Sequence, residues 1–148
     1  LDFLHKVTNI LLIRNPFEIV SSYSKVVGDF DVDMIGLKKQ YDLCSYLVKG
    51  KIDFILIDSY SLINNPEKSL RKICGLIDLK YDKSMISWSK GPKSYDGIWA
   101  KYWYSNLHKT TGFLKGKKSS VVGIEEKHKI VAEQSMFYYK ELLKYSVV

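Results

Sequence analysis

The sequence predicts an α/β fold of three layers, with helices covering a parallel sheet. Three observations carry that expectation. Two short apolar runs, 8–13 and 52–57, have the length and residue types of strands. Two amphipathic stretches separate them, and a strand, helix, helix, strand order makes a parallel crossover, which is almost always right-handed. Within the second run Phe54 to Ile57 is continuously apolar, as a strand buried on both faces of a parallel sheet is.

Taken in order, Thr8 to Ile13 is the first strand, and Pro16 suits the first position of a helix because its missing N–H would be unpaired there anyway. That helix is expected from Pro16 to about Val27. Ile19, Val20, Tyr23, Val26 and Val27 form its apolar stripe, with Ser22 on the flank. A second helix is expected from Met34 to about Val48, with Asp33 as candidate N-cap, Leu37, Tyr41 and Cys44 on its buried face, and Gly50 as its stop. After the second strand, Asn64-Asn65-Pro66-Glu67 supplies a cap, a first-turn proline and an early carboxylate ahead of Leu70, Ile73, Cys74 and Ile77, which specifies a third helix. From Trp88 to Phe113 aromatic residues crowd among lysines and glycines. A long functional loop is expected there, with one group of helical turns from Ile98 to Asn106. Glycine and lysine dominate Gly112 to Ser120, and Ile124 to Tyr145 reads as a terminal amphipathic helix.

The 148 residues suit one domain, and 46% hydrophobic with 26% charged residues is a globular composition. No run approaches the roughly 18 apolar residues of a membrane span, and no secretory lead is visible. Cys44 and Cys74 lack the C-x-x-C spacing of a metal or redox pair, which points to a reduced, cytoplasmic setting and no metal site. Because the sequence begins at Leu1 rather than Met, it reads as a piece of something longer. A net charge of +7 favours anionic partners: nucleotides, sulfated or phosphorylated small molecules, nucleic acid or a membrane surface.

The stretch LLIRNPFEIVSSYSKV concentrates the chemistry. In an open α/β sheet, ligands sit beyond the carboxyl ends of the strands, where Arg14 falls. The helix from Pro16 is expected to add free N–H groups and a positive dipole end, and Ser22 a small donor from the side. Arginine plus serine suits a phosphate monoester. The same spacing is met by an arginine that leaves the sheet for solvent and a serine that tolerates a helix flank, so the pattern alone leaves both readings open.

The order IRNPFEIVSSY, an apolar strand ending LID, NNPEKSLRKICGLIDL, then KGPKSYDGIWAKYWYSNLHKTTGF resembles the sulfotransferase family that uses 3′-phosphoadenosine 5′-phosphosulfate (PAPS) as donor, in its sulfotransferase-like branch. The resemblance implies a P-loop-like sandwich. It also implies that Arg14 and Ser22 bind the donor's 3′-phosphate. The family's third donor element, Arg-Lys-Gly before Gly-Asp-Trp, is met by Ser89, Lys90 and Gly91 before Asp96-Gly97-Ile98-Trp99: Lys90 and Gly91 carry over and the arginine does not. Residues 1–148 then correspond to the C-terminal portion of a sulfotransferase-like domain, with a sheet incomplete at the N-terminus. The loop that wraps the 5′-phosphosulfate has no counterpart in the thirteen residues before Arg14. An upstream segment or a partner is expected to complete the sheet. Asp58-Ser59-Tyr60 departs from relatives that keep a tyrosine near the adenine, and His5 lies too close to the strand to be the family's general base.

The implied activity is transfer of a sulfuryl group to a small-molecule hydroxyl or amine, with positive groups stabilising charge as it develops. The alternative is a non-catalytic nucleotide- or nucleic-acid-binding module, resting on +7 and the aromatic-rich loop. A phosphoryl-transferring relative is a third class. Ordered matches at three separate places favour the first over a nucleic-acid partner. Among other candidates, His108 in NLHKTTGF is read as a hydrogen-bonded structural histidine before a base, since no carboxylate stands at a telling spacing. Trp99, Tyr102 and Trp103 are read as anchors of the loop before a purine-stacking wall. Lys109, Lys115, Lys117 and Lys118 form a solvated basic run able to steer anions.

Overall fold

The computed structural model describes residues 2–114 and 124–148. By their contacts these fall into two compact units, one running to Leu62 and resuming at 124, the other beginning at Ile63 and described to 114. In the first unit, β1 (Asn9–Ile13) and β2 (Phe54–Asp58) pair side by side and parallel, Asn9 opposite Phe54 and Ile13 opposite Asp58. The parallel arrangement agrees with the expectation. On β2's other edge the chain terminus adds ladder bonds: Val147 N–H donates to Leu56 O at 2.8 Å and Asp58 N–H to Val148 O at 3.2 Å. Paired on both edges, β2 is the central strand, which is the physical reason for its unbroken apolar run.

Alternation puts Leu11, Ile13, Phe54, Leu56 and Asp58 on one face. Against it pack α2 (Leu37–Lys49) and α6 (Glu126–Leu143), joining Ile13 and Leu56 to Leu37, Cys44, Tyr139 and Leu142 in one buried cluster. A helix α1 (Pro16–Tyr23) sets Val20 against Val131 and Ala132 of α6, with Phe17, Phe30, Val32 and Ile35 around them. On the opposite face of β1, Ile10 and Leu12 remain 46% and 53% exposed. The described contacts therefore establish a mixed α/β unit with a small parallel sheet and helices on one face; they include no helix over that second face of β1.

Several boundaries move for local reasons. The first helix stops at Tyr23, and Val26 and Val27 turn back with their N–H groups on Tyr23 O. The second starts at Leu37 rather than Met34, because Gly36 takes a left-handed φ of +77° that cannot lie inside a helix. Asp31 instead caps a turn by accepting from Met34 N–H at 2.9 Å. A short helix α3 (Ser59–Asn64) follows β2 directly, unforeseen from periodicity because six residues hold less than two turns.

The second unit holds α4 (Pro66–Leu76), a 3₁₀ turn at Lys83–Ile86, α5 (Ala100–Trp103) and another 3₁₀ turn at Leu107–Lys109. Arg71 stacks over the Tyr81 ring, 4.1 Å from its centroid, and Cys74 Sγ approaches Met85 Sδ at 3.9 Å. Cys44 and Cys74 are both buried free thiols. Among the described residues, no helix is long and apolar enough to cross a membrane.

Candidate functional site

At the carboxyl ends of the two strands, register brings Ile13 beside Asp58, so the residues that follow each strand share one edge of the sheet. Arg14 leaves β1 there. Its Nε donates to Glu18 Oε2 at 2.9 Å, and among the described residues no hydrogen bond engages its two terminal nitrogens. The Arg14 side chain is 44% exposed while the Glu18 side chain is only 14% exposed. The pair is thus anchored at the glutamate and open at the arginine.

The start of α1 differs from the expectation of free N–H groups. The Asn15 side chain accepts from Phe17 N–H at 3.0 Å, Asn15 O accepts from Glu18 and Ile19, and Pro16 has no N–H to give. What the terminus keeps for an anion is its dipole, partly offset by Glu18 in the first turn. Ser22 is exposed on the same helix, one turn beyond Glu18. Because i and i+4 share a face, Arg14's partner Glu18 and Ser22 rise along one side of α1.

Beside them stands a buried polar group that sequence reasoning missed. Asp58 accepts from the Tyr139 hydroxyl at 2.9 Å, from Ser61 N–H at 3.1 Å and from Ser61 Oγ at 3.2 Å. Three donors on one buried carboxylate are what keep its charge tolerable. The Tyr139 phenol is pushed well above its usual range, first by burial, then by donating to Asp58, and further by the charges of Asp58 and Glu18. Next along the chain, Ser59 Oγ is buried with no hydrogen-bond partner among the described residues. Only the strand-end position of Asp58 was visible in sequence; its partner Tyr139 is 81 residues away.

In the second unit, Lys90 is exposed and Gly91 has φ +93°, a conformation that explains glycine there. Gly91 N–H donates to His108 O at 2.9 Å. His108 also gains the carboxylate partner that its spacing did not reveal: Nε2 lies 2.8 Å from Asp96 Oδ2, which accepts from Lys93 N–H at 2.8 Å as well. Asp96 is held below the usual carboxylate range, first by the Lys93 N–H, then by His108. The side chain of Lys93 turns back onto Ser89 Oγ at 2.7 Å, so an ammonium sits at the position where the arginine is missing. His108 therefore closes the loop through both its ring and its carbonyl.

The aromatic trio behaves otherwise than expected. Trp99, Tyr102 and Trp103 are all roughly half exposed or more. Trp88 ties the loop: its N–H donates to Thr111 O at 3.0 Å, its Nε1 donates to Thr110 Oγ1 at 3.3 Å and its ring meets Phe113 edge-on. Lys109 is exposed; Lys115, Lys117 and Lys118 lie outside the described residues.

A sulfotransferase domain family matches residues 1–144. Two curated proteins of Arabidopsis thaliana are also similar. Branched-chain-amino-acid aminotransferase-like protein 2 is 34% identical over 117 residues, 79% of this chain and 21% of that protein. Branched-chain-amino-acid aminotransferase-like protein 1 is 32% identical over the same share of each. The chain thus spans about a fifth of the length of these relatives. No solved structure matches. With a match running from before β1 to the end of α6, the chain belongs to the sulfotransferase domain family.

Proposed function

We propose that this chain forms the part of a PAPS-dependent sulfotransferase that holds the donor by its 3′-phosphate, the acceptor being a small-molecule hydroxyl or amine. One observation carries the reading: Arg14 stands at the carboxyl end of a parallel strand with its Nε edge engaged and its terminal nitrogens unengaged among the described residues. Two parallel N–H groups match the oxygens of a phosphate monoester, and a partly exposed guanidinium can reach one. Ser22, one turn beyond Glu18, adds a hydroxyl from the side. Lys90 and the Gly91 turn are proposed as further donor contacts, with Lys93 supplying positive charge beside Ser89. Family membership supports the reaction class, in which the sulfuryl group passes to the acceptor and adenosine 3′,5′-bisphosphate leaves.

The residues of this chain orient and neutralise one end of such a donor. The phosphosulfate end, where the bond breaks, is assigned to residues outside 1–148, a division consistent with relatives of whose length the match covers about a fifth. Charge stabilisation at that end is usually the largest catalytic term, so residues 1–148 alone are not expected to turn over.

Calorimetric titration of the full-length polypeptide with adenosine 3′,5′-bisphosphate tests the central contact. Arg14→Ala should weaken binding by about 2–5 kcal/mol where the bound nucleotide buries this charged contact. Arg14→Lys should recover only part, since a point charge cannot reproduce the planar fork. Equal affinity of wild type and Arg14→Ala would remove the reading.

A further inference from the structure

We infer that Glu18 is a positioning residue: by holding Nε of Arg14 it aims the two terminal guanidinium nitrogens at the 3′-phosphate of the nucleotide, an inference that rests on the reading of Arg14 above. The chain has two arginines, and their contrast makes the case. Arg71 is also paired with a glutamate four residues away, but Nε and Nη2 both donate to Glu67 Oε1, at 3.1 and 2.8 Å, and the guanidinium plane lies on Tyr81. That arrangement uses up the side edge and one face. Both Arg71 and Glu67 are about half exposed, as are Lys38 and Asp42 in the similar pair on α2.

Arg14 and Glu18 depart from this pattern twice. The contact uses Nε alone, which leaves the end-on fork open to a bidentate anion. Its acceptor is mostly buried rather than solvated, and its charge reaches Tyr139 in the core. Glu18 is therefore a fixed post, set by the first turn of α1. A long side chain restrained by a fixed acceptor has less rotamer freedom left to lose when ligand binds, and that saving appears as affinity. A carboxylate also repels phosphate, so the two effects of Glu18 oppose one another. Restraint of the fork is the one proposed to prevail, and substitution separates them: Gln keeps an oxygen acceptor without the charge, and Ala removes both.

The test uses the full-length polypeptide and calorimetry with two probes, adenosine 3′,5′-bisphosphate and adenosine 5′-monophosphate. Glu18→Ala should weaken the bisphosphate roughly two- to tenfold, the range for releasing one rotamer-rich side chain. It should leave the monophosphate unchanged, which also reports that the site remains folded. Glu18→Gln should bind the bisphosphate as well as wild type or better. In an Arg14→Ala background, Glu18→Ala should have no further effect. The inference is overturned if Glu18→Ala binds the bisphosphate equally or more tightly, if Gln is as weak as Ala, if both probes weaken together, or if the loss survives without Arg14. Should Arg14→Ala alone cost nothing, the reading of Arg14 fails first and takes the inference with it; a large Arg14 effect with a silent Glu18 sinks only the inference.

Discussion

Replacing Tyr139 with Phe removes a single oxygen, and the structure specifies what that oxygen does. The hydroxyl donates to Asp58 Oδ1 at 2.9 Å inside the cluster formed by Ile13, Leu37, Cys44, Leu56 and Leu142. Asp58 keeps Ser61 N–H and Ser61 Oγ on its other oxygen, so the carboxylate loses one of three donors rather than all. A hydrogen bond to a charged group contributes about 1.5–3 kcal/mol, and the remaining donors place the expected loss near the middle of that range, about 2 kcal/mol. The ring stays, so no cavity term adds to it. Urea unfolding should show a lower midpoint at unchanged slope. The pH dependence supplies a second, independent signature. Tyr139 in the folded protein keeps its proton to higher pH than the ordinary tyrosine value of 10.0. Its contribution is therefore complete below about pH 10 and is lost as pH rises from there toward the raised folded value. Wild type should lose stability across that alkaline window more steeply than Tyr139→Phe, and the gap between them should narrow. A midpoint shift near zero, or parallel alkaline limbs, would show that Asp58 is satisfied without Tyr139.

Two further outcomes follow from burial and from the loop. On residues 1–148, Leu56→Ala should cost about 2–5 kcal/mol, because Leu56 is fully buried in the central strand, whereas Leu12→Ala on the open face of β1 should cost well under half as much; equal costs in urea unfolding would mean that face is covered. Asp96, whose folded pKa is depressed below 3.8, contributes stability that is present above that value and is lost as pH falls through the folded one. Asp96→Asn should accordingly flatten the acid limb and speed hydrogen exchange at the Lys93 amide, and an unchanged exchange rate would detach Asp96 from the loop.

What the sequence made legible is set by the distance over which each cause acts. Pro16 with Asn15 before it, the unbroken run ending at Asp58 and the stripe of α6 are determined by neighbours within a turn or by membership of one face, and the elements formed where they were expected. Gly36 shows the limit of the same logic: Asp33 is a sound cap by residue type, yet a left-handed glycine three residues later decides where α2 begins. Groups that depend on a distant partner stayed hidden. His108 needed Asp96 and Asp58 needed Tyr139, and neither pair has a spacing that one strand or helix would impose. The aromatic trio is only partly buried: Trp99 precedes the helix Ala100–Trp103, and four residues are too few to give the rings that follow one common inward face.

Arg14 falls between these cases. Its place at a strand end was legible, but its pairing with Glu18 was not, because Arg14 lies before the helix and its N-cap, where the i, i+4 spacing rule does not reach. Spacing cannot say which guanidinium edge the carboxylate takes, because that follows from how much of the Glu18 side chain is buried. An exposed glutamate is free to swing and grip a guanidinium from the side, as Glu67 grips Arg71. A glutamate packed to 14% exposure can meet only the edge presented to it, and for Arg14 that edge is Nε. Burial at a neighbouring residue, rather than the motif itself, is thus what separates an arginine tied up in a helix-surface pair from one with its fork still open to an anion.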